Sequence, residues 1–406
     1  MMNIMTTSEI DLRSREFRAN PYPAYTLLRQ HTPIVFRDEL GMWVVSRHRD
    51  VATILRDRRF GRSIDHILTR EQRGVPPKPQ HRRAFDMLSE NSMFDKEPPD
   101  HTRLRGLVQK AFTPRRIESL RAFVQRVADD LLDQVETAGT MDILADFAVP
   151  LPVTVIAELL GVPDSAHDSL RNWSQSIVAM FELEPTAEQE RVAIQAAAEF
   201  ADYLREAAAY RRQHPQDDLI SALVEAEEAG ERLTEDELIA TCVLLLNAGH
   251  EATVNLVGNG LYALFRNPEQ LRLLQENPSL NTSAVEEMLR YDTPLQLFRR
   301  FALEDVQFGG VIFRQGDEIA LLFGSANRDP ESFTDPDTLN IARADNPHIS
   351  FSLGVHYCLG APLARMELQI AFATLIRRFP KLALAREPQY RDSVVIRGLH
   401  SLEVVF

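Results

Sequence analysis

The feature that most constrains the fold is one apolar segment of helical periodicity, which begins at Thr234 and runs to Phe265. Thr234 and Glu237 form a capping box at its start, and Asn267-Pro268 stops the pattern at its end. A helix of about 30 residues is roughly 45 Å long, because each residue rises 1.5 Å. The middle of the segment, VLLLNAGHEATVNLV, is apolar nearly all round. We therefore expect one long central helix that is buried on every side.

The rest of the chain also favours helices. The segment 114–138 predicts an amphipathic helix with a proline in its first turn, and 188–212 is helical by propensity. Short runs of strand character predict a hairpin, a small sheet and a closing hairpin, at 34–36 with 43–45, at 306–308, 311–313 and 318–323, and at 394–396 with 402–406. The predicted fold is mainly α with a small β region, and residues 1–406 are expected to form one domain.

Composition excludes several classes of protein. The chain has 45 Lys and Arg against 59 Asp and Glu, a formal charge of −14, which argues against nucleic acid as a partner. It has only two cysteines, Cys242 and Cys358, so we expect no disulfide framework and a reducing compartment. The first twenty residues lack the apolar stretch of a signal peptide. We therefore expect a cytoplasmic protein without a membrane anchor.

The segment FSLGVHYCLG, residues 351–360, surrounds one of these cysteines. Gly354 and Gly360 bracket Cys358, and glycine lets the backbone approach a flat ligand closely. An apolar helix is predicted from about Leu359 to Phe379. Cys358 would then sit at a helix N-terminus, where the dipole and free N–H groups favour the thiolate. An isolated cysteine is more often a small buried hydrophobe, but the residues at these offsets favour a metal-binding thiolate.

This segment resembles the cysteine-ligand loop of the cytochrome P450 family, whose pattern is Phe-x-x-Gly-x-His-x-Cys-x-Gly. The resemblance implies haem b as cofactor and Cys358 as the ligand of its iron. It also implies that Phe351, Gly354, His356 and Gly360 belong to the haem site. The family fold would place the haem between the long central helix and the cysteine-bearing helix. Further matches occur in family order from about residue 15 to the end of the chain.

A second match is the pair Glu287 and Arg290, which stand three residues apart and share one face of a predicted helix. Taken alone, such a pair is most often an exposed salt bridge. In the family this Glu-x-x-Arg pair is structural and is completed by an arginine shortly before the cysteine loop. Arg343 matches that position, and the three residues would hold the loop under the haem.

A third set of matches concerns the haem propionates. His101 and Arg105 stand four apart, on one helical face, and resemble the family's His-x-x-x-Arg. Arg300 matches another propionate ligand, with Arg299 as the competing candidate, and His356 matches a third. Charge-assisted hydrogen bonds from such side chains would fix the orientation of the cofactor.

The long helix departs from the family pattern Ala/Gly-Gly-x-Asp/Glu-Thr. Ala248 and Gly249 match the positions that let dioxygen approach, and Glu251 matches the acid that helps to deliver protons. Ala252 stands where the family has an alcohol. Thr253 comes one residue late, about 100° round the helix, and its hydroxyl is expected to bond back to the carbonyl of Gly249. The hypothesis is that a substrate hydroxyl, ordered water, or both replace the missing alcohol.

The family alignment also suggests which residues line the substrate pocket. Each of them alone is more often ordinary core, but together they predict a largely apolar small organic substrate. The candidates are Met93, Phe94, Leu244, Leu245, Ala248, Leu295, Leu297, Phe298, Val395 and Ile396.

The sequence contains no glycine-rich fingerprint for a flavin or nicotinamide, because its only Gly-x-Gly, Gly258-Asn-Gly260, lies inside the long helix. Electrons are therefore expected from separate proteins, and the resemblance implies a ferredoxin and its reductase. Cations on the cysteine side could dock an acidic ferredoxin, namely Arg103, Arg115, Arg116 and Arg365.

The resemblance implies a monomeric monooxygenase that inserts one oxygen atom from O2. Two other functions stay open. One is a haem-thiolate enzyme driven by peroxide or catalysing oxidative coupling. The other is a non-enzymatic haem sensor or carrier, which predicts a separate output domain.

Overall fold

Helices form most of the protein in the computed structural model, which describes residues 10–228 and 230–406. Their bounds are α1 Arg15–Ala19, α2 Tyr22–His31, α3 His48–Arg56, α4 Arg83–Asn91, α5 Asp100–Ala111, α6 Pro114–Ser119, α7 Arg121–Glu136, α8 Pro150–Leu160, α9 His167–Val178, α10 Ala187–Gln213, α11 Leu219–Glu225, α12 Glu235–Arg266, α13 Pro268–Glu276, α14 Asn281–Tyr291, α15 Phe323–Ala326 and α16 Ala361–Arg378.

The strands are short and lie in small sheets. Their bounds are β1 Ile34–Arg37, β2 Met42–Val45, β3 Phe60–Gly61, β4 Thr140–Asp142, β5 Glu227–Glu228, β6 Glu231–Arg232, β7 Leu297–Ala302, β8 Val306–Phe308, β9 Val311–Phe313, β10 Glu318–Leu322, β11 Ala383–Leu384 and β12 Glu403–Val405. The largest sheet has the order β1-β2-β10-β7-β3, a second has the order β11-β12-β4, and β5-β6 and β8-β9 are hairpins. The predicted class, mainly α with a small β region, is confirmed.

The long helix α12 confirms the prediction of one long, buried central helix. The side chain of Thr234 accepts from the backbone N–H of Glu237, and the Glu237 side chain completes the capping box. Most residues of α12 are buried, because α4, α8, α9, α10, α14 and α16 pack around it. The helix is therefore the axis of the main hydrophobic core.

Three predictions of local structure are wrong. The helix predicted at 114–138 is divided into α6 and α7 at Leu120. Strand β10 does not join the β8-β9 hairpin; it pairs with β2 and β7 in the largest sheet. The predicted closing hairpin is absent from the described residues, since β12 pairs with β11 and β4 instead. Hydrophobic runs indicate that a strand exists, but its partner depends on long-range packing that the runs do not encode.

One 18-residue stretch, 143–160, is long and apolar enough to cross a membrane by composition. Two-thirds of it is buried inside the protein, as is common for a core helix. Its residues include Phe147, Leu151 and Leu160, all of which are fully buried in the main core.

The cysteine-bearing helix α16 packs against α12 and α14. It is mostly buried and begins two residues later than predicted, at Ala361, with Gly360 as its N-cap. Close packing between these helices depends on Gly260 of α12. A Cβ atom at that position would lie 2.7 Å from Sδ of Met288 and 2.8 Å from Cζ of Phe372.

We predict that Gly260→Ala destabilises the protein by about 1–3 kcal/mol, because the added methyl group overpacks the contact with α14 and α16. Gly258→Ala is the matched control on the same helix, since its Cβ would meet closely only the flexible end of Leu144, at 2.8 Å. Thermal unfolding of both variants measures the difference. Equal midpoints would contradict the inferred close packing at Gly260.

Candidate active site

A cavity lies between α12 and the cysteine loop, and most of the predicted site residues line it. They come from α5, α12, β7, the cysteine loop and the C-terminal segment. The predicted residues on its wall are Met93, Phe94, His101, Arg105, Leu244, Leu245, Ala248, Gly249, Glu251, Ala252, Thr253, Leu295, Phe298, Phe351, His356, Cys358, Gly360 and Ile396.

Two predicted pocket residues do not line this cavity. Leu297 packs on the other face of the largest sheet, in a cluster with Leu28 and Val44, because successive side chains of a strand point to opposite faces. Val395 and Ile396 are also separated, although they lie outside any strand. The carbonyl of Val395 accepts a hydrogen bond from the N–H of Gln296, 2.9 Å away, while Ile396 lines the cavity.

The two glycines of the cysteine loop have different roles. Gly354 has a φ of +70°, and a Cβ there would lie 2.3 Å from the carbonyl oxygen of Leu55, so only glycine fits that turn. Gly360 has an ordinary φ of −79°. A Cβ on it would touch only Sγ of Cys358, at 3.9 Å, so its lack of a side chain keeps the space beside the sulfur open.

Cys358 sits beside the start of α16, as predicted, but the balance of forces on its sulfur differs from the expectation. Burial raises the pKa of the Cys358 thiol, and the N–H groups of Gly360 and Ala361 with nearby Arg105 and Arg365 only partly offset that effect. The side chain keeps some accessible surface because it faces the cavity. Burial therefore opposes the thiolate, and the helix terminus only reduces that effect. The charge of a coordinated metal ion would favour the thiolate.

The predicted Glu-Arg-Arg brace is present and fully buried. Glu287 and Arg290 form a two-pronged ion pair with both distances at 2.8 Å, and both side chains are 0% exposed. Nε of Arg343 lies 3.0 Å from the same carboxylate. Glu287 also accepts from the backbone N–H of Asn340, at 2.9 Å. Its two oxygens are thus satisfied by charged and neutral donors together, as a buried carboxylate requires.

A chain of hydrogen bonds connects this brace to the cysteine. Arg290 donates to the carbonyl of Asn327, at 2.9 Å. The side chain of Asn327 donates to Oγ of Ser350 and accepts from the N–H of Ile349. Phe351 follows Ser350 in the chain, and its carbonyl accepts a hydrogen bond from the N–H of Cys358 at 2.9 Å. The brace therefore fixes the backbone that presents the sulfur.

Beside the cavity lies a group of buried nitrogen donors that lack acceptors. Arg300 is 1% exposed, and its Nη2 has no hydrogen-bond partner. Nε2 of His356 also has none, and its closest acid, Glu97, is 3.5 Å away. Burial lowers the pKa of Arg300 to about 9, and Arg62 nearby adds to the shift. A buried guanidinium with an unpaired donor fits the carboxylate of an anionic ligand, and the ring N–H of His356 can add a neutral donor.

The remaining candidates for binding the propionates are His101, Arg105 and Arg299. The ring of His101 lies beside that of His356, with centroids 4.3 Å apart and the planes tilted by 52°. Burial, followed by the charge of His356, lowers the pKa of His101 to about 4. Arg105 lies on the same face of α5 and donates to the carbonyl of Tyr357 at 2.7 Å. Arg299, the competing candidate, turns outward and pairs with Glu318 at 3.0 Å. The donors on the cavity side therefore fit a haem whose propionates lie beside Arg300.

On the opposite side of the cavity, Glu251 is held by two donors. Its Oε1 accepts from Nδ2 of Asn255 at 2.9 Å and from Nη1 of Arg391 at 2.8 Å. Ala252 lines the cavity without a polar group. The hydroxyl of Thr253 donates to the carbonyl of Gly249 at 2.9 Å, which confirms the predicted back-bond.

Several residues of the site were missed from the sequence. Arg391, which bonds to Glu251 but does not line the cavity, was missed because it stands 140 residues from that partner. Glu367 lines the cavity, and burial raises the pKa of its carboxyl to about 8. Asn247 could have been noticed as the one amide within the apolar run before Gly249. Others have no motif at all, namely Ile156, Val178, Phe181 and Thr293.

Comparison with known proteins decides the family. The Cytochrome P450 family model matches residues 63–393. Cytochrome P450 CYP107DY1 of Priestia megaterium is 42% identical over 393 residues, covering 94% of this chain and 95% of that protein. The chain belongs to the cytochrome P450 family. It is therefore an oxidoreductase of the monooxygenase class, and its cofactor is haem b.

Two further relatives show how far the likeness reaches. The polyketide biosynthesis cytochrome P450 PksS of Bacillus subtilis is 42% identical over 402 residues, covering 96% of both proteins. The crystal structure of P450BioI, in complex with acyl carrier protein ligated to hexadec-9Z-enoic acid, matches with a TM-score of 0.90. That match has 40% identity and covers 96% of this P450 and 99% of that chain. The likeness extends over the whole fold and confirms the predicted P450 architecture.

We predict that Glu287→Gln destabilises this P450 by about 3–5 kcal/mol, because it leaves two buried guanidinium groups without their counter-charge. The cysteine loop should also loosen, so the haem content per protein should fall. Thermal unfolding and the ratio of haem to protein absorbance measure the two effects.

Glu286→Gln is the matched control, since Glu286 is the adjacent residue and its side chain is 24% exposed. It pairs with His348, whose side chain is 4% exposed, and with Arg365, whose side chain is 31% exposed, so water partly screens the pair and its loss should cost clearly less than the loss of Glu287. Equal losses of stability and haem in both variants would show that the buried brace has no special role.

Proposed function

We propose that the sulfur of Cys358 would hold the haem iron and that the enzyme inserts one oxygen atom from dioxygen into a largely apolar small organic substrate. Electrons would come from a separate ferredoxin-type protein. The observation that supports this most directly is that one cavity is lined by Cys358, by the acid Glu251 and by apolar side chains between them.

Haem held by a cysteine thiolate activates dioxygen, because the sulfur pushes electron density that favours O–O cleavage. The residues of the chain bind and orient the cofactor. Cys358 would supply the sulfur, and the N–H groups of Gly360 and Ala361 would tune it. Arg300 and His356 have free donors for the propionates, which would set the tilt of the haem plane.

Proton delivery would begin at Glu251. Its carboxylate faces the cavity and is also bonded to Arg391, whose side chain is 34% exposed. This pair connects the cavity with the solvent across α12. Because Ala252 cannot relay a proton and the hydroxyl of Thr253 is already bonded to Gly249, the last step would use a substrate hydroxyl or ordered water.

The substrate pocket should favour an apolar molecule. Its walls hold Leu244, Leu295, Phe298 and Ile396 from three separate segments, together with Phe94. Closely packed apolar walls with few polar groups are typical of small-molecule sites. The polar groups that do occur there would orient the substrate.

The electron donor would dock beside the cysteine loop. Val355 and Tyr357 are each 39% exposed and lie within three residues of Cys358, so a partner there is close to the haem edge. Among the predicted docking cations, Arg115 on α6 is exposed. The other predicted docking cations are less free, since Arg103, Arg116 and Arg365 form ion pairs with Glu237, Asp217 and Glu286.

Residues 1–406 would act in this scheme as one catalytic domain and as a cytoplasmic monomer. Both cysteines are free, which suits a reducing compartment. The alternative is a peroxide-driven or oxidative-coupling enzyme of the same family. The missing alcohol at Ala252 favours that alternative, whereas the retained acid Glu251 favours dioxygen.

The functional test is the yield of oxidised product per NADPH consumed, with ferredoxin and reductase supplied, for the wild type and Ala252→Thr. We expect the threonine to improve this coupling only for substrates that lack a hydroxyl near the reacting carbon. For the true substrate, coupling should stay unchanged or fall, because a second alcohol disturbs the existing relay.

Two results would contradict the scheme. A large improvement with every substrate, including the true one, would show that no substrate or water relay exists. Faster turnover with hydrogen peroxide alone than with dioxygen, ferredoxin and reductase would instead identify a peroxide-driven enzyme.

We also predict that Val355→Glu raises the KM for an acidic ferredoxin several-fold, because it places a negative charge on the docking surface. Turnover driven by hydrogen peroxide should not change, since it needs no partner. Ile312→Glu is the control, because Ile312 is 49% exposed on the β8-β9 hairpin, outside the cysteine loop. If both variants change the KM equally, the partner does not dock at the cysteine loop.

A further inference from the structure

Asn247 is a polar residue on the cavity-lining face of α12. It follows Leu244 by three positions and precedes Glu251 by four, and residues at these spacings share one helical face. All three line the cavity. Asn247 therefore belongs to the same wall as the apolar side chains of the proposed substrate pocket.

The side chain of Asn247 has no hydrogen-bond partner in the described residues. It is only 4% exposed, and its Oδ1 is buried without a partner. In the other two asparagines of α12, Asn255 and Asn259, Oδ1 is also buried without a partner, but Nδ2 is bonded. Nδ2 of Asn255 donates to the carbonyl and the carboxylate of Glu251, and Nδ2 of Asn259 donates to the carbonyls of Asp292 and Arg397. Asn247 differs from both because its Nδ2 makes no hydrogen bond within the described residues.

A buried amide without a partner is costly. Leaving such a group unpaired typically costs about 1–3 kcal/mol, and buried polar groups are nearly always hydrogen-bonded. The run Leu244-Leu245-Leu246 directly before it shows that an apolar residue would suit this part of the helix. The amide therefore lowers the stability of the protein, and a bound molecule can recover the loss.

We propose that Asn247 is the polar anchor of the substrate site and that it binds a hydroxyl group on an otherwise apolar carbon skeleton. A carboxamide offers both a donor and an acceptor, and a hydroxyl matches both. An anionic ligand group fits poorly, because the carboxylate of Glu251 lies one turn away on the same face. This inference rests on the proposed function and adds the class of substrate, an alcohol whose hydroxyl sets which carbon faces the haem.

A second polar group on the cavity wall is the rival anchor. Thr293 is 1% exposed, lines the cavity, and its hydroxyl has no partner. It precedes Pro294 and Leu295 on the other side of the pocket. Asn247 is the stronger anchor because an amide can donate and accept at two separate atoms.

The test uses two apolar skeletons, each as hydrocarbon, alcohol and methyl ether. The ligands are adamantane, 1-adamantanol and 1-methoxyadamantane, with dodecane, 1-dodecanol and 1-methoxydodecane. Dissociation constants come from the ligand-induced shift of haem absorption in the haem-loaded enzyme. The variants are Asn247→Leu, Thr293→Val and, as matched control on the same face of α12, Leu244→Ala.

We expect the wild type to bind at least one alcohol about tenfold more tightly than its hydrocarbon, which corresponds to one buried hydrogen bond. In Asn247→Leu the ratio of the hydrocarbon and alcohol dissociation constants should fall to near one, and the hydrocarbon should bind more tightly than it does to the wild type. Leu244→Ala should weaken alcohol and hydrocarbon alike and keep their ratio. The affinity of the wild type for the methyl ether should lie between its affinities for the alcohol and the hydrocarbon, since an ether oxygen can accept a hydrogen bond but cannot donate one.

The thermal midpoint of the ligand-free enzyme gives an independent result. Asn247→Leu should be as stable as the wild type or more stable, because it removes an unpaired buried amide. A clear loss of stability would show that Asn247 is structural and would overturn the inference.

The remaining outcomes separate this inference from the proposed function. If ligands bind but the alcohol preference persists in Asn247→Leu, or is lost only in Thr293→Val, Asn247 is not the anchor while the apolar-substrate function stands. If none of the six ligands shifts the haem absorption of the wild type, the proposed apolar substrate is wrong, and the anchor with it.

Discussion

The buried carboxylate of Glu287 is the interaction on which the geometry of the site depends. It is fully buried and forms ion pairs with both Arg290 and Arg343. Burying an ion pair adds little net stability, but removing one partner strongly destabilises the protein. The main effect of the pair is to fix the position of the cysteine loop. Arg290 holds Asn327, and Asn327 holds the backbone that leads into the cysteine loop.

Burial affects the two sides of the haem site in complementary ways. It raises the pKa of the Cys358 thiol, which therefore needs a positive centre to become a thiolate. It also leaves donors of Arg300 and His356 without acceptors, which therefore need negative groups. A haem has both, a metal ion at its centre and carboxylates at its edge. The sulfur of Cys358 and the donors of Arg300 and His356 are therefore the groups that would bind the metal ion and the carboxylates of a haem.

The sequence allowed the main parts of this structure to be predicted, because each has a local cause. The capping box and the apolar surface of α12 determine that helix, and the spacing of the cysteine loop indicates the ligand. The errors arise from long-range packing. Whether Leu297 or Phe298 faces the cavity depends on how β7 pairs with β10, and the partner of Glu251 is an arginine far along the chain. No local pattern encodes either fact.

The central claim is that the sulfur of Cys358 binds the haem iron, and the absorption spectrum of the reduced, carbon monoxide-bound protein tests it most directly. The wild type should show the red-shifted Soret band of a thiolate-ligated haem. Cys242→Ala should show the same band, because Cys242 is fully buried in α12 and does not line the cavity. Cys358→Ser should lose it. A red-shifted band that survives in Cys358→Ser would contradict the assignment of Cys358 as the ligand.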